Sequence, residues 1–201
     1  MEIEKYAELA TRALGFNNNE RIEERDVLGI AEVVLGELIK EMLSNGGGLT
    51  AEYYHRFTST LEFDTQMKLP FIYKPCDILN LPKHQSYRYV GTGDIENSFI
   101  PMTWGEIATY SRLEAGQAGG RTVFAPLGDK IYFRYMQEPK PCEIVTMIVP
   151  SLLWLYDNRD NVNFVGTTDV EGVLFDQVLQ KLQLRKQMPV DNYNNNSPDN
   201  K

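Results

Sequence analysis

The side chains most able to do chemistry are two histidines and two cysteines, and they are scattered along the chain. His55 and His84 each stand without another histidine, a cysteine or a carboxylate at the spacing of metal ligands. Cys76 and His84 could form a nucleophile–base pair, but Cys76 lies in a proline-rich stretch with no helix N-terminus to lower its thiol pKa. We therefore interpret both histidines as surface or loop residues, and we predict no catalytic, cofactor-binding or metal-binding residue.

Two weaker patterns also favour structure over chemistry. The Gly-Thr-Gly-Asp sequence at 91–94 resembles a phosphate-binding turn, but no Lys-Ser/Thr pair follows it, so it indicates a turn after a short strand. The acidic pairs Glu23–Glu24 and Asp157/Asp160 could bind a cation or act as general acid and base. Because both pairs lie in charged segments, we interpret them as solvated surface.

The composition is that of an acidic globular protein. The chain has 201 residues, of which 42% are hydrophobic, and a net charge of −8, which together predict one domain that binds neither nucleic acid nor anionic lipid specifically. No apolar run approaches a membrane span, and the acidic start lacks the features of a signal peptide, so we expect synthesis in a cytoplasm. Cys76 and Cys142 are expected to be free thiols, with a single disulfide as the alternative.

The first section of the chain, residues 1–48, is predicted to be helical. Apolar residues spaced by three and four positions indicate a first helix that begins near Ile3 and is ended by Gly15. A second helix is expected from about Glu20 to Leu43. Its apolar residues cover so much of its circumference that we predict burial on more than one side.

The second section, residues 49–165, is predicted to be rich in β-structure. Alternating apolar residues at 57–67 predict one half-buried strand that closes at Leu69-Pro70. Short strands are also expected at 86–90 and 142–149. The strongest hairpin signal joins 121–125 to 130–135 through a Pro-Leu-Gly-Asp turn. Between these strands, Thr103 and Glu106 have the spacing of a capping box and predict a short helix to about residue 112.

A last helix is predicted from about Asp169 to Gln187. The residues expected on its packed face are Val170, Val173, Leu174, Val178 and Leu182. The fold class that follows is α+β, with N-terminal helices, a central antiparallel sheet or small sandwich, and a C-terminal helix with an extended tail. We expect residues 1–187 to form one domain and residues 188–201 to form a tail that is disordered or is ordered by a partner.

The tail and the aromatic residues are the candidates for binding to other proteins. In the polar tail, Met188, Pro189, Val190 and Tyr193 are sparse anchors suited to docking on a surface. Tyrosine and tryptophan are enriched at interfaces, but sequence does not separate interface anchors from core residues. The aromatic residues in question are Tyr53, Tyr54, Tyr87, Tyr89, Trp104, Tyr110, Tyr132 and Trp154. These features favour a subunit that packs against copies of itself or against partners, and not an enzyme.

In the order of its segments the chain resembles the head-to-tail connector proteins of tailed bacteriophages, the ring or adaptor proteins, especially those of crAss-like and related short-tailed phages of Bacteroides. The resemblance rests on the helical start, Leu69-Pro70, the segment at 99–103, the hairpin at 120–133 and the strand at 143–150. It continues through the last helix to the end of the chain, which begins Pro-Val-Asp-Asn.

The resemblance implies a structural protein of the virion. Such proteins form closed rings, commonly of twelve copies, which join the portal to the tail and leave a channel for the genome. It implies a homo-oligomer that contacts the portal and other connector or tail proteins, made in the host cytoplasm and located in the neck of the virion, with no cofactor. Alternatives are an intracellular adaptor that is not viral, a tail terminator or a small enzyme.

Overall fold

The computed structural model describes residues 2–13, 23–93, 98–110, 121–136, 142–158 and 166–187. The helices are α1 (Ile3–Ala13), α2 (Glu24–Ser44), α3 (Trp104–Tyr110), α4 (Leu152–Asp157) and α5 (Thr168–Gln187). The strands are β1 (His55–Thr60), β2 (Glu62–Asp64), β3 (Leu69–Tyr73), β4 (Tyr87–Gly91), β5 (Ile100–Pro101), β6 (Val123–Leu127), β7 (Lys130–Arg134) and β8 (Glu143–Ile148). This is the α+β class that the sequence predicts, with helices at the start and near the end of the chain. None of the helices in these ranges is long and apolar enough to cross a membrane.

The helices from the two ends of the chain pack together around one core. α2 contacts α1, α4 and α5, and its Leu28, Leu35 and Ile39 are fully buried. The prediction that this helix is buried on more than one side is therefore confirmed. Two apolar residues of these helices are nevertheless exposed. Val33 of α2 is 59% exposed, and Val173, predicted to lie on the packed face of α5, is 48% exposed.

A second core lies between two β-sheets. The smaller sheet has the order β1-β8-β4 and is antiparallel, while the larger has the order β2-β3-β7-β6-β5 and is parallel only between β5 and β6. Buried side chains from both sheets form one cluster, with Ile144 and Val90 from the smaller sheet and Phe124, Ile131 and Phe133 from the larger. Of the two predicted arrangements, the small sandwich is the one that forms.

The long strand predicted over residues 57–67 is wrong, because the chain changes sheets within it. β1 ends at Thr60 in the smaller sheet, and β2 begins at Glu62 in the larger one. After β2, the carboxylate of Asp64 accepts hydrogen bonds from the amides of Gln66 and Met67 at 2.9 and 3.0 Å, which closes a turn. Aspartate is common at such positions because its side chain bonds to the backbone two residues ahead.

One further prediction about this region is corrected, and one helix at the end of the sandwich is new. Leu69-Pro70 was expected to end a strand, but it begins β3. The pairing of β3 with β7 starts only at Phe71, so the amide that Pro70 lacks is not needed on that side. After β8, the helix α4 is not predicted at all. Its N-cap is Ser151, whose hydroxyl accepts a hydrogen bond from the amide of Trp154.

The hairpin and the capping box are confirmed, but the turn of the hairpin is shorter than predicted, because Pro126 and Leu127 belong to β6 and only residues 128 and 129 lie between the strands. β6 and β7 pair in register from Val123 with Arg134 to Leu127 with Lys130, and Gly128 in the turn between them has a φ of +60°. At α3, the hydroxyl of Thr103 accepts a hydrogen bond from the amide of Glu106 at 3.2 Å. The carboxylate of Glu106 in turn accepts one from the amide of Thr103 at 2.6 Å, so both halves of the box are present.

One buried polar side chain in the smaller sheet leads to a stability prediction. Thr146 of the central strand β8 is fully buried, and its hydroxyl has no hydrogen-bond partner within the described parts of the chain. Valine has the same shape without the desolvated hydroxyl. We therefore expect Thr146→Val to raise the free energy of unfolding by about 1 kcal/mol, measured by urea denaturation. A loss of stability would indicate that the hydroxyl is satisfied in solution. The exposed Thr58→Val is the control.

Candidate interaction surfaces

The burial of Cys76 does not suit the nucleophilic role considered for it. Cys76 is buried beside the sandwich, and burial raises the pKa of its thiol to about 12. The thiol is therefore protonated near neutral pH, whereas a nucleophilic cysteine needs the thiolate. Cys142 is also a free thiol, and burial raises its pKa as well. The expectation of two free cysteines is confirmed.

His84 and the glycine-rich turn lie in turns as expected, whereas His55 is a partly buried strand residue, so its interpretation as a surface or loop residue is wrong. His55 begins β1, where burial lowers the pKa of its imidazole, and His84 ends a short 3-10 turn with a φ of +58°. Across the described ranges, histidine, cysteine and acidic residues form no group of three that could hold a metal ion. Gly91 ends β4 and Gly93 follows with a φ of +102°, which agrees with a turn after a strand.

The acidic residues of α2 and α4 join these two helices, and are not merely solvated as predicted. The carboxylate of Glu24 accepts a hydrogen bond from the hydroxyl of Tyr156 at 2.7 Å. Arg25 and Asp157 form an ion pair at 2.9 Å, with both side chains at least 40% exposed, so it contributes little stability. Asp160 lies outside the described residues. These contacts account for the carboxylates structurally.

Of the eight aromatic residues raised by the sequence, three are buried and four are partly buried. Tyr53 is fully buried, and Tyr89 and Tyr132 are 7% and 5% exposed. The partly buried ones are Tyr54, Tyr87, Trp104 and Trp154, while the side chain of Tyr110 lies outside the described set. Among the described residues, the exposed aromatic ones are instead Phe63 and Tyr73, at 54% and 49%. The sequence did not single these two out.

A first surface, the sheet patch, lies on the face of the larger sheet that points away from the sandwich core. It consists of Tyr73, Lys130 and Leu127, with Phe71 and Tyr132 beneath them. The register places Tyr73 and Leu127 on either side of Lys130, on strands β3 and β6. The Nζ atom of Lys130 lies 4.1 Å from the centroid of the Phe71 ring, a cation–π contact. Tyr73 and Leu127 are exposed at 49% and 37%, and an exposed aromatic side chain such as that of Tyr73 is of the kind enriched at protein interfaces.

Asp64 fixes the charge at the edge of the sheet patch. Besides the turn amides, its carboxylate accepts hydrogen bonds from the hydroxyl of Tyr132 at 2.9 Å and from the Nζ atom of Lys130 at 3.3 Å. The bond from the amide of Met67 and that from Tyr132 are the main causes that lower the pKa of Asp64 to about 2. The carboxylate therefore stays ionised in mild acid and holds Lys130 over the aromatic rings.

The lowered pKa of Asp64 predicts an acid-dependent contribution to stability. Because the pKa is lower in the folded state, this contribution is present above the unfolded value near pH 4 and is lost as the pH falls towards 2. We expect Asp64→Asn to lower the thermal midpoint at pH 7, and the difference from wild type to shrink between pH 4 and pH 2. Calorimetry of both proteins at several pH values between 2 and 7 measures the difference in thermal midpoint. Glu62→Gln, on the same strand and exposed, should show no such trend.

A second surface, the helix groove, lies between α2, α4 and α5. Its volume is about 650 Å³, and its apolar lining comes from Ile30, Val33, Leu153 and Leu184, with Gly29 among them. Val33 and Leu184 are 59% and 56% exposed. Exposed apolar surface of this kind marks a site that another chain segment can cover.

A third surface, the shallow groove, lies between the other halves of α2 and α5. Its volume is about 300 Å³, and its apolar lining comes from Leu38, Met42, Val170 and Val173. Val173 lies on the helical face that was predicted to be packed, but its side chain lines this open groove and is therefore exposed. The predicted interaction residues Met188, Pro189, Val190 and Tyr193 lie outside the described residues.

Sequence reasoning missed the sheet patch and both grooves for one physical reason. Each surface depends on residues distant in sequence, such as Tyr73 beside Lys130, which only the strand register brings together. The sequence feature that could have indicated the grooves was the number of apolar residues on α2, which exceeds what one packed face needs.

No protein-family model matches the chain, and no curated protein matches it significantly.

Proposed function

We propose that the chain is a structural protein of a tailed-bacteriophage virion. It forms a subunit of a ring, commonly of twelve copies, in the head-to-tail connector that joins the portal to the tail and leaves a channel for the genome. The proposal rests on the resemblance of the segment order and on surfaces suited to packing against other proteins. Among the segments that carry the resemblance, Leu69-Pro70 begins β3, and the segments at 99–103, 120–133 and 143–150 contain β5 to β8, so these lie in the two sheets of the sandwich.

The observation that carries the proposal is that two unlike surfaces belong to different parts of the fold. The sheet patch, with Tyr73 and Leu127, lies on the larger sheet, while the shallow groove, with Val173, lies among the helices. A closed ring requires heterologous contacts, in which one face of a subunit meets a different face of the next. We propose that the sheet patch of one subunit packs against the shallow groove of its neighbour.

Mass spectrometry of purified virions tests the proposal directly. The chain should be present in mature particles of the phage that encodes it, at a copy number comparable to that of the portal protein. Its absence from mature particles would contradict a structural role and would favour the alternative, an adaptor that acts inside the cell.

The two surfaces can be tested separately by substitution. Val173→Asp and Tyr73→Asp each place a charge on an exposed apolar position, so folding should change by no more than about 0.5 kcal/mol. We expect each to reduce ring formation or the yield of tailed virions by about tenfold or more, which corresponds to about 1.4 kcal/mol at an interface. Negative-stain counting of particles measures this.

The matched control is Leu9→Asp. Leu9 is 46% exposed on α1, which contributes no residue to the sheet patch or to either groove. Virion yields that fall equally in all three variants would show that the effect does not belong to the two surfaces.

A further inference from the structure

The helix groove is open and apolar although it lies between three packed helices. Val33 and Leu184 are each more than half exposed on opposite walls. A β-carbon added at Gly29 would meet no atom within 4 Å, so the groove also has free space at this position. Cavities of about 300–1,000 Å³ can hold a drug-sized ligand, so 650 Å³ is enough for several side chains.

The packing of α5 on α2 shows where the chain leads after the last described turn. The two helices run in opposite directions, because Val173 lies near Met42, whereas Leu184 lies near Ile30. Between these points, Lys181 pairs with Glu37 at 2.8 Å. Movement along α5 towards its C-terminus is therefore movement along α2 towards its N-terminus.

The residue one helical turn beyond Leu184 is Met188. A turn of about 3.6 residues advances about 5.4 Å, so the chain leaves α5 beside the part of the groove that contains Gly29 and Arg25. The described helix ends at Gln187, directly before this position. The groove is thus open next to the point from which residues 188–201 continue.

The first residues of this segment have the chemistry to fill the groove. Met188 is flexible and suits irregular apolar gaps. Pro189 prevents a regular continuation of α5 and can redirect the chain across the groove. Val190 supplies a second apolar side chain before the sequence becomes polar. A segment tethered this closely has an effective concentration of about millimolar at the groove, which favours docking within one molecule.

We propose that residues 188–190 bind in the helix groove of their own subunit, with Met188 beside Gly29. The segment covers Val33 and Leu184 and completes the packing between α2 and α5. This inference concerns the isolated chain, so it does not depend on the proposed role in a virion. Under that role, a neighbour could take the groove only by displacing the segment.

Disulfide trapping in the full-length chain tests where the segment docks. The variant carries Gly29→Cys and Met188→Cys together with Cys142→Ala, while the buried Cys76 is kept. We expect a disulfide within the monomer at micromolar protein, in about 100- to 1,000-fold excess over the disulfide-linked dimer, as millimolar effective concentration implies. A disulfide-linked dimer as the main product would place the segment on a second copy and overturn the proposal. The proposal would also be overturned if neither the monomer disulfide nor the dimer formed. In the matched control, Asn200→Cys replaces Met188→Cys and should cross-link much more slowly.

A second measurement uses no cysteine. Met188→Asp combined with Val190→Asp should raise the fluorescence of the apolar dye ANS by uncovering the groove. Asn194→Asp combined with Asn196→Asp makes the same change of charge in the same segment and should leave the fluorescence unchanged. Equal fluorescence in the two double variants would contradict the proposal, even if the trapped disulfide forms.

Discussion

Replacing Phe133 with alanine will lower the free energy of unfolding by about 3–5 kcal/mol, the usual cost of removing a fully buried phenylalanine side chain. Phe133 is 0% exposed between the two sheets, and its ring meets that of Phe99 edge to face at a centroid distance of 5.7 Å. The substitution removes the apolar contacts of the ring and leaves a cavity that the flanking strands can only partly close. Urea denaturation followed by circular dichroism measures the loss.

The control for this prediction is Phe63→Ala, which makes the same chemical change at the edge of the same sheet. Phe63 is 54% exposed, so the change in stability should stay within about 0.5 kcal/mol. Similar losses in the two variants would show that the core between the sheets is not where the structure puts it.

Replacing Ser86 with alanine should produce the second large loss of stability. The hydroxyl of Ser86, which is 4% exposed, donates a hydrogen bond to the carbonyl of Leu79 at 2.5 Å and accepts one from the amide of Leu81 at 3.0 Å. Alanine leaves both backbone groups buried without this partner. Each such group costs about 1–3 kcal/mol, so the thermal midpoint should fall by several degrees.

Ser86 lies between the helical core and the smaller sheet, which gives a structural reason for the expected loss of stability. Leu79 and Leu81 belong to the helical core, while Ser86 directly precedes β4 of the smaller sheet. The hydroxyl therefore links the two parts of the molecule. Ser98→Ala, which removes only a 3.4 Å bond at an exposed residue, is the control. If the two serine variants are equally stable, the hydroxyl of Ser86 has no such role.

The elements that sequence predicts best are those whose stabilising contacts are local. The capping box at Thr103 and Glu106 needs only four consecutive residues, and the β6–β7 hairpin needs only a glycine able to adopt a positive φ at 128. The start of α5 is also predicted to within one residue, although this helix packs on α1 and α2, which are distant in sequence. These patterns supplied the α+β class.

The elements that sequence predicts wrongly depend on distant partners. Alternation over 57–67 is real, but β1 pairs with β8 and β2 pairs with β3, so one pattern is divided between two sheets. The short helix α4 has a local N-cap in Ser151, but it also contacts α2, where the carboxylate of Glu32 accepts a hydrogen bond from the hydroxyl of Ser151 at 2.6 Å. No property of residues 150–157 alone reveals that contact.

The candidate surfaces follow the same rule. The apolar excess of α2 predicted that the helix is buried on several sides, but it could not show that Val33 is left uncovered. The sheet patch was missed because Tyr73 and Lys130 are neighbours only through the register of β3 with β7. The exposed residues that matter most for binding are therefore the ones that local patterns identify least well.

The packing of the two ends of the chain against each other also determines when the protein can fold during synthesis. α2 ends at Ser44, and α5, which covers it, begins at Thr168, more than a hundred residues later. At about 5–20 residues per second, a ribosome needs on the order of ten seconds to make the intervening chain. Throughout that time the part of α2 that α5 covers lacks its native partner, while α1 is already present and β2, β3, β6 and β7 can assemble. During synthesis, the apolar residues of α2 that α5 covers are therefore left open to chaperones and to aggregation.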